Sequence, residues 1–149
     1  MRHLTLAAVM ALLSAPAFAA GHASGDAAAG EEQFNRQCVA CHVIVDDAGE
    51  TLAGRNARTG PNLYNLTARG IGTHPDFAYG DSIVELGAAG EMWTEENFVG
   101  YVQDPTGWLR EKLDNRRARG KMAYQVRQDD QAYDLYAYLA TFGAEEDGS

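Results

Sequence analysis

Two cysteines in 149 residues, four prolines and a shortage of positive charge, with 12 Lys and Arg against 21 Asp and Glu, set the first limits. Two cysteines permit one intrachain bridge at most, so a scaffold held by several disulfides is excluded. A formal net charge of −9 argues against nucleic-acid binding, which calls for a basic face. Past the N-terminal run Leu4 to Leu13, no apolar window approaches the roughly 20 residues of a bilayer span. No alternating apolar and polar run argues for a sheet, and there are no internal repeats.

The chain is expected to begin with a leader. Met1, Arg2 and His3 precede the apolar run, and Pro16 precedes the small-residue site Ala17-Phe18-Ala19. A basic start, a short apolar middle and small residues at the end mark a secretory signal peptide. Cleavage is expected after Ala19, with Ala20 as the alternative, so residues 1–19 are removed. At about ten residues the apolar run is too short to persist as an anchor. What remains is one exported domain over residues 20–144, of a size that supports a single core, and an acidic tail over 145–149 expected to be disordered.

Both cysteines fall in one pentapeptide, Cys38-Val39-Ala40-Cys41-His42. A bridge between them would close a tiny loop and stabilise little. A zinc site needs four ligands, and only His42 lies at ligand spacing. A redox dithiol normally sits between a strand and a helix, whereas the upstream Asp26 to Gln37 reads as a helix capped by Asp26 with acids in its first turn. The preferred reading is a covalently attached haem c: two thiols at this spacing add to the vinyl groups, and the adjacent His42 is then aimed at the iron. The dithiol oxidoreductase is the alternative.

A haem iron with one histidine is either open to small molecules or closed by a second ligand. The candidates in the mature chain are Met92, Met122, His22 and His74. His22 lies near the new amino terminus and His74 precedes Pro75 in a loop, so both read as surface residues. Met92 adjoins Trp93 and Thr94, where Thr94 caps a helix and Trp93 staples against Phe98, and it reads as a packed side chain. Met122 follows Arg119-Gly120-Lys121 in a non-periodic stretch and is preferred as the sixth ligand, where a thioether would raise the potential. The rival is a haem enzyme or ligand-binding sensor with an open sixth position.

Further helices are expected from Asp81 to Leu86, ended by Gly87; from Thr94 to Gln103, stopped by Asp104-Pro105; and from Trp108 to Leu113. The last begins at Asp129-Asp130, carries the stripe Ala132, Leu135, Tyr136, Leu139 and Phe142, and stops at Gly143. The expected fold is all-α, small helices wrapped around one covalently bound haem.

Taken together, "CVACHVIVDDAG", "TGPNLY", "YVQDP", "GKM" and "DLYAYL" resemble the class I c-type cytochromes, and within them the bacterial cytochrome c2 group of soluble periplasmic electron carriers. The resemblance runs from about Gly25 to Phe142 and implies thioethers at Cys38 and Cys41, His42 as proximal ligand and Met122 as distal ligand. It implies that the Pro61 carbonyl accepts from the other nitrogen of His42, that Tyr101 reaches the methionine sulfur, and that Tyr79, Trp93 and Arg69 lie near the haem propionates. Gly30 and Phe34 are similar to the family's contact between the first helix and Leu135 and Tyr138 of the last. The segments 43–58 and 106–119 are longer than in the shortest members. No enzymatic turnover is implied. The implied partners are membrane redox complexes, a cytochrome bc1-type donor and a reaction centre, oxidase or reductase as acceptor, served by a monomer in the periplasm.

The charge is unevenly spread. Arg110, Lys112, Arg116, Arg117, Arg119, Lys121 and Arg127 crowd one stretch that holds only Glu111 and Asp114 as acids. Because they flank Met122, these residues are expected to form a basic rim that steers acidic partners.

Overall fold

The computed structural model of the protein describes residues 23–143, so the expected leader, its cleavage site, His22 and the acidic tail lie outside the described residues. Helix α1 (Ala27–Gln33) starts where expected: the Asp26 carboxylate accepts from the backbone N–H of Ala28 at 2.8 Å and of Ala29 at 3.3 Å. Its acids, Glu31 and Glu32, come a turn later than expected, so Asp26 alone satisfies the exposed donors. The helix then widens into a π turn, Phe34–Cys38, and Val39 N–H reaches back to the Phe34 carbonyl at 3.3 Å.

A short antiparallel hairpin, β1 (Ile44–Val45) with β2 (Thr51–Ala53), adds a small sheet to the helical fold. Strands of two and three residues are too short to show alternation, which is why the sequence pattern gave no sign of them. The turn is closed by the Asp46 carboxylate, which accepts from Ala48 at 3.0 Å and Glu50 at 2.8 Å. Asn62 fastens the hairpin to the following loop, bonding both the N–H and the carbonyl of Val45 at 3.0 and 2.7 Å.

Helix α2 (Asp81–Ala88) runs through Gly87 rather than ending there. A Cβ at Gly87 would run into the Ile71 carbonyl oxygen, so this glycine permits a close approach, and the left-handed residue that closes the helix is Gly90, at φ 86°. Helix α3 (Glu95–Gln103) is capped by Thr94, whose hydroxyl accepts from Asn97 N–H at 3.2 Å, and the Trp93 and Phe98 rings meet edge to face at 6.4 Å. Asp104 both ends α3 and caps α4 (Pro105–Lys112), accepting from Gly107 at 2.9 Å. Pro105 suits the first helical position, where no N–H is needed, so α4 begins earlier than Trp108.

Helix α5 (Asp129–Ala140) buries Ala132, Leu135, Tyr136 and Leu139, with Phe142 half-buried beyond its end. It packs on α1 and α3. The α1 crossing is close because Gly30 has no side chain: a Cβ there would meet the Asp134 carbonyl and lie 2.8 Å from Tyr138 Cβ. Phe34 and Tyr138 meet across the same crossing with their rings tilted and centroids 5.5 Å apart. The helices enclose a cavity that the core side chains line rather than fill.

Candidate functional site

The cavity has a volume of about 540 Å³, within the range of cofactor sites. Cys38, Cys41, His42 and Pro61 lie on its wall, as do Met122 and the aromatic residues Phe34, Trp93, Phe98 and Tyr101. The chain thus brings together residues from the π turn, the loop after it, α3 and the segment before α5.

His42 is held by its backbone and its ring. Its N–H bonds the Cys38 carbonyl at 2.9 Å, and ring Nδ1 lies 2.9 Å from the Pro61 carbonyl. A carbonyl only accepts, so Nδ1 carries the proton and Nε2 keeps a free lone pair, the form a metal ligand needs. Burial pushes the His42 pKa down, against the opposing pull of the Pro61 carbonyl, and so favours the neutral ring. Gly60 fixes the remaining freedom: a Cβ there would sit 2.6 Å from Nδ1 and 2.8 Å from Nε2 of His42. Its N–H also bonds the Cys41 carbonyl at 2.7 Å. Only a glycine lets the backbone lie flat against the imidazole, a role the sequence did not disclose because nothing in "TGPNLY" announces what its glycine touches.

Cys38 is half-buried and Cys41 exposed, and neither is in a disulfide. Burial, then the neighbouring Cys41, pushes the Cys38 thiol up to about 12. A redox dithiol needs a lowered thiol pKa, so this environment disfavours that alternative.

Met122 lines the cavity, half-buried. Met92 does not: it is 42% exposed, which corrects its reading as a packed side chain. Its carbonyl is held by Asn97 Nδ2 at 2.9 Å while its side chain faces out. His74 also lies outside the cavity, beside Arg69 in a neighbouring polar cleft.

Trp93 and Tyr101 wall the cavity with ring centroids 5.2 Å apart, and Trp108 of α4 backs both, at 6.3 Å from Trp93 and 5.7 Å from Tyr101. Trp108 rests on Gly100, where a Cβ would come within 2.7 Å of its indole nitrogen. Burial, then Tyr79, pushes the Tyr101 phenol up to about 12, so it is a neutral donor in the cavity wall. Tyr79 lines the cavity as well. Arg69 does not: its guanidinium donates to the Asn62 carbonyl at 3.0 Å, outside the wall, with its pKa lowered by burial although Tyr79 opposes this. Of the basic residues, Arg119 and Lys121 line the cavity, while Arg116, Arg117 and Arg127 are exposed. Arg110 instead turns inward to the Ala118 carbonyl at 3.3 Å, and Lys112 lies over the Trp108 ring at 5.6 Å.

Two thiols, an imidazole with a free Nε2 and a thioether share one largely apolar cavity, a donor set suited to a covalently attached haem. Comparison with known proteins agrees. Cytochrome c2 of Rhodovulum adriaticum is 58% identical over 124 residues, 83% of this chain and 98% of the relative. The chain belongs to the cytochrome c2 family. Cytochrome c2 of Cereibacter sphaeroides is 50% identical over 135 residues, 90% of each chain. The solved structure of cytochrome c2 from Rhodobacter sphaeroides superposes with a TM-score of 0.78 at 48% identity, covering 82% of this chain and 99% of that one. That from Rhodobacter capsulatus gives 0.73 at 47% identity, covering 78% and 97%. Residues 25–88 also match the family model described as cytochrome C oxidase, cbb3-type, subunit III, a match that takes in the Cys38 to His42 pentapeptide and stops short of Met122. As a cytochrome c2 the chain has the class I cytochrome c fold, carries one covalently bound haem c and transfers electrons.

Proposed function

We propose that this cytochrome c2 is a soluble periplasmic one-electron carrier, not an enzyme, that works as a monomer between membrane redox complexes. A cytochrome bc1-type donor and a reaction centre, oxidase or reductase as acceptor are the partners this reading implies. Cys38 and Cys41 hold the haem through thioethers, His42 Nε2 is the proximal ligand and Met122 the distal one. When bound, the haem supplies a one-electron couple between ferric and ferrous iron. The observation that carries the reading is Met122, which shares one cavity with His42 although 80 residues separate them in the chain. The chain's own contribution is rigidity: the Pro61 carbonyl and Gly60 lock the imidazole, and Tyr101, kept neutral, offers a hydroxyl in the same wall. Tyr79 and Trp93 complete the surroundings, with Arg69 set further back. Among the described residues no helix is long and apolar enough to cross a membrane.

The visible spectrum of the purified protein tests the ligand set. A low-spin c-type spectrum with a weak long-wavelength ferric band from sulfur ligation is expected. A high-spin ferric spectrum, or rapid carbon monoxide binding to the ferrous form, would instead favour the haem enzyme or sensor with an open sixth position.

Arg119 and Lys121 at the cavity, with Arg116, Arg117 and Arg127 exposed nearby in the chain, form the docking rim in this reading. Arg110 and Lys112 contribute less, each being engaged within the fold. The second-order rate with an acidic redox partner is expected to fall as ionic strength rises from 0.01 to 0.15 M, as the screening length shrinks from about 30 to about 8 Å. A flat or rising profile would remove the steering role.

A further inference from the structure

Met122 lies on a strap with no regular secondary structure, running from Arg119 to Gln128. Such a segment has little stability of its own, and its closed position depends on the few contacts that hold it. Just ahead of Met122 those contacts are unusually regular. Arg119 N–H donates to Ser82 Oγ of α2 at 3.1 Å, Gly120 N–H donates to Thr106 Oγ1 of α4 at 3.1 Å, and Lys121 Nζ donates to the Ala78 carbonyl at 2.7 Å. Three successive residues are thus tied to three separate parts of the fold. Gly120 also packs against Pro105, where a Cβ would come within 2.9 Å of the ring, and the stem of Lys121 lies along Gly80. On the far side the next backbone tie is Val126 N–H to the Val102 carbonyl at 2.9 Å, with Ala123, Tyr124 and Gln125 exposed between.

Ser82 and Thr106 are each the second residue of their helix, two places past the position from which a side chain caps it, so neither hydroxyl is needed by its own helix end. Gly80 precedes α2 without a side-chain cap, Asp104 caps α4, and both hydroxyls are turned to the strap.

We infer that Ser82, Thr106 and Lys121 are positioning residues that latch the Met122 strap shut and thereby set how fast the sixth position opens to outside ligands. The inference rests on Met122 as distal ligand. Each tie exists only in the closed strap, so removing one raises the population and the rate of opening by the factor that one net hydrogen bond carries, about five-fold. The ties go to different elements, so their effects multiply.

The test uses ferric holoprotein mixed rapidly with imidazole, read at concentrations where the binding rate no longer rises and therefore reports strap opening. Ser82→Ala and Thr106→Val are each expected to raise that limiting rate about five-fold and together about 25-fold, with the sulfur band of the resting protein retained. Lys121→Leu provides a third, independent release. As control, Asp26→Ala removes the α1 cap, whose carboxylate bonds Ala28 and Ala29 rather than the strap, and is expected to lower Tm while leaving the imidazole rate unchanged. The latch is overturned if Ser82→Ala and Thr106→Val leave the limiting rate at the wild-type value, or if Asp26→Ala raises it equally. Wild-type ferric protein without the sulfur band would overturn the ligand reading itself; an intact band with unchanged rates overturns the latch alone.

Discussion

Met122→Ala is expected to abolish the weak long-wavelength ferric band and to lower the midpoint potential by on the order of 0.2 V, since axial ligands tune haem potentials over roughly 0.8 V. The argument runs through ligand softness. A thioether stabilises ferrous iron relative to ferric, whereas the water or hydroxide that would replace it favours the ferric state. For a one-electron couple each 59 mV is a factor of ten, so the ferrous-to-ferric ratio at fixed ambient potential falls by about three powers of ten. Carbon monoxide, which the wild type excludes in this reading, should bind the ferrous variant readily. The comparison variant is Met92→Ala. Met92 is 42% exposed and outside the cavity, so band and potential should both be unchanged there. Spectroelectrochemical titration of the two variants checks both statements, and a Met122→Ala protein with wild-type optical and redox behaviour would dismiss the ligand assignment.

The contrast between these methionines shows where the amino-acid sequence is informative. The non-helical segment that carries Met122 was legible because its neighbours have no helical period. Met92 was read as packed from its closeness to the Thr94 cap and the Trp93 staple, both of which the structure contains, but a backbone tethered by Asn97 leaves the side chain free to face water. Local chemistry was readable in the same way for Cys38-Val39-Ala40-Cys41-His42, for the Asp26 and Thr94 caps and for the apolar stripe of α5. Contacts between distant parts of the chain were not. Gly60 touches a ring 18 positions earlier, Gly87 lies against Ile71, and Trp108 of α4 backs Trp93. Periodicity reports which side of an element is buried and says nothing of what it is buried against. Pro61 and the α1 crossing at Gly30 were anticipated only through the resemblance, since neither has a local signature.

Gly30→Val should be strongly destabilising, by about 3 kcal/mol. The Gly30 Cα faces the backbone of α5, and a Cβ there would strike the Asp134 carbonyl and crowd Tyr138 Cβ at 2.8 Å. Backbone cannot rotate aside as a side-chain tip can, so α1 and α5 must separate. Separation would loosen the Phe34–Tyr138 ring contact and shift the π turn that leads directly into Cys38. At roughly 3 to 5 °C per kcal/mol for a domain of this size, the melting temperature should fall by on the order of 10 °C or more. Gly49→Ala supplies the contrast: Gly49 has φ 84° in the hairpin turn with nothing within 4 Å of its Cβ, so only the left-handed penalty of roughly 1–2 kcal/mol applies. If thermal melts of the two haem-loaded variants show equal losses, steric exclusion at the α1 and α5 crossing is not what holds the amino-terminal helix, and with it Cys38 and Cys41, in place.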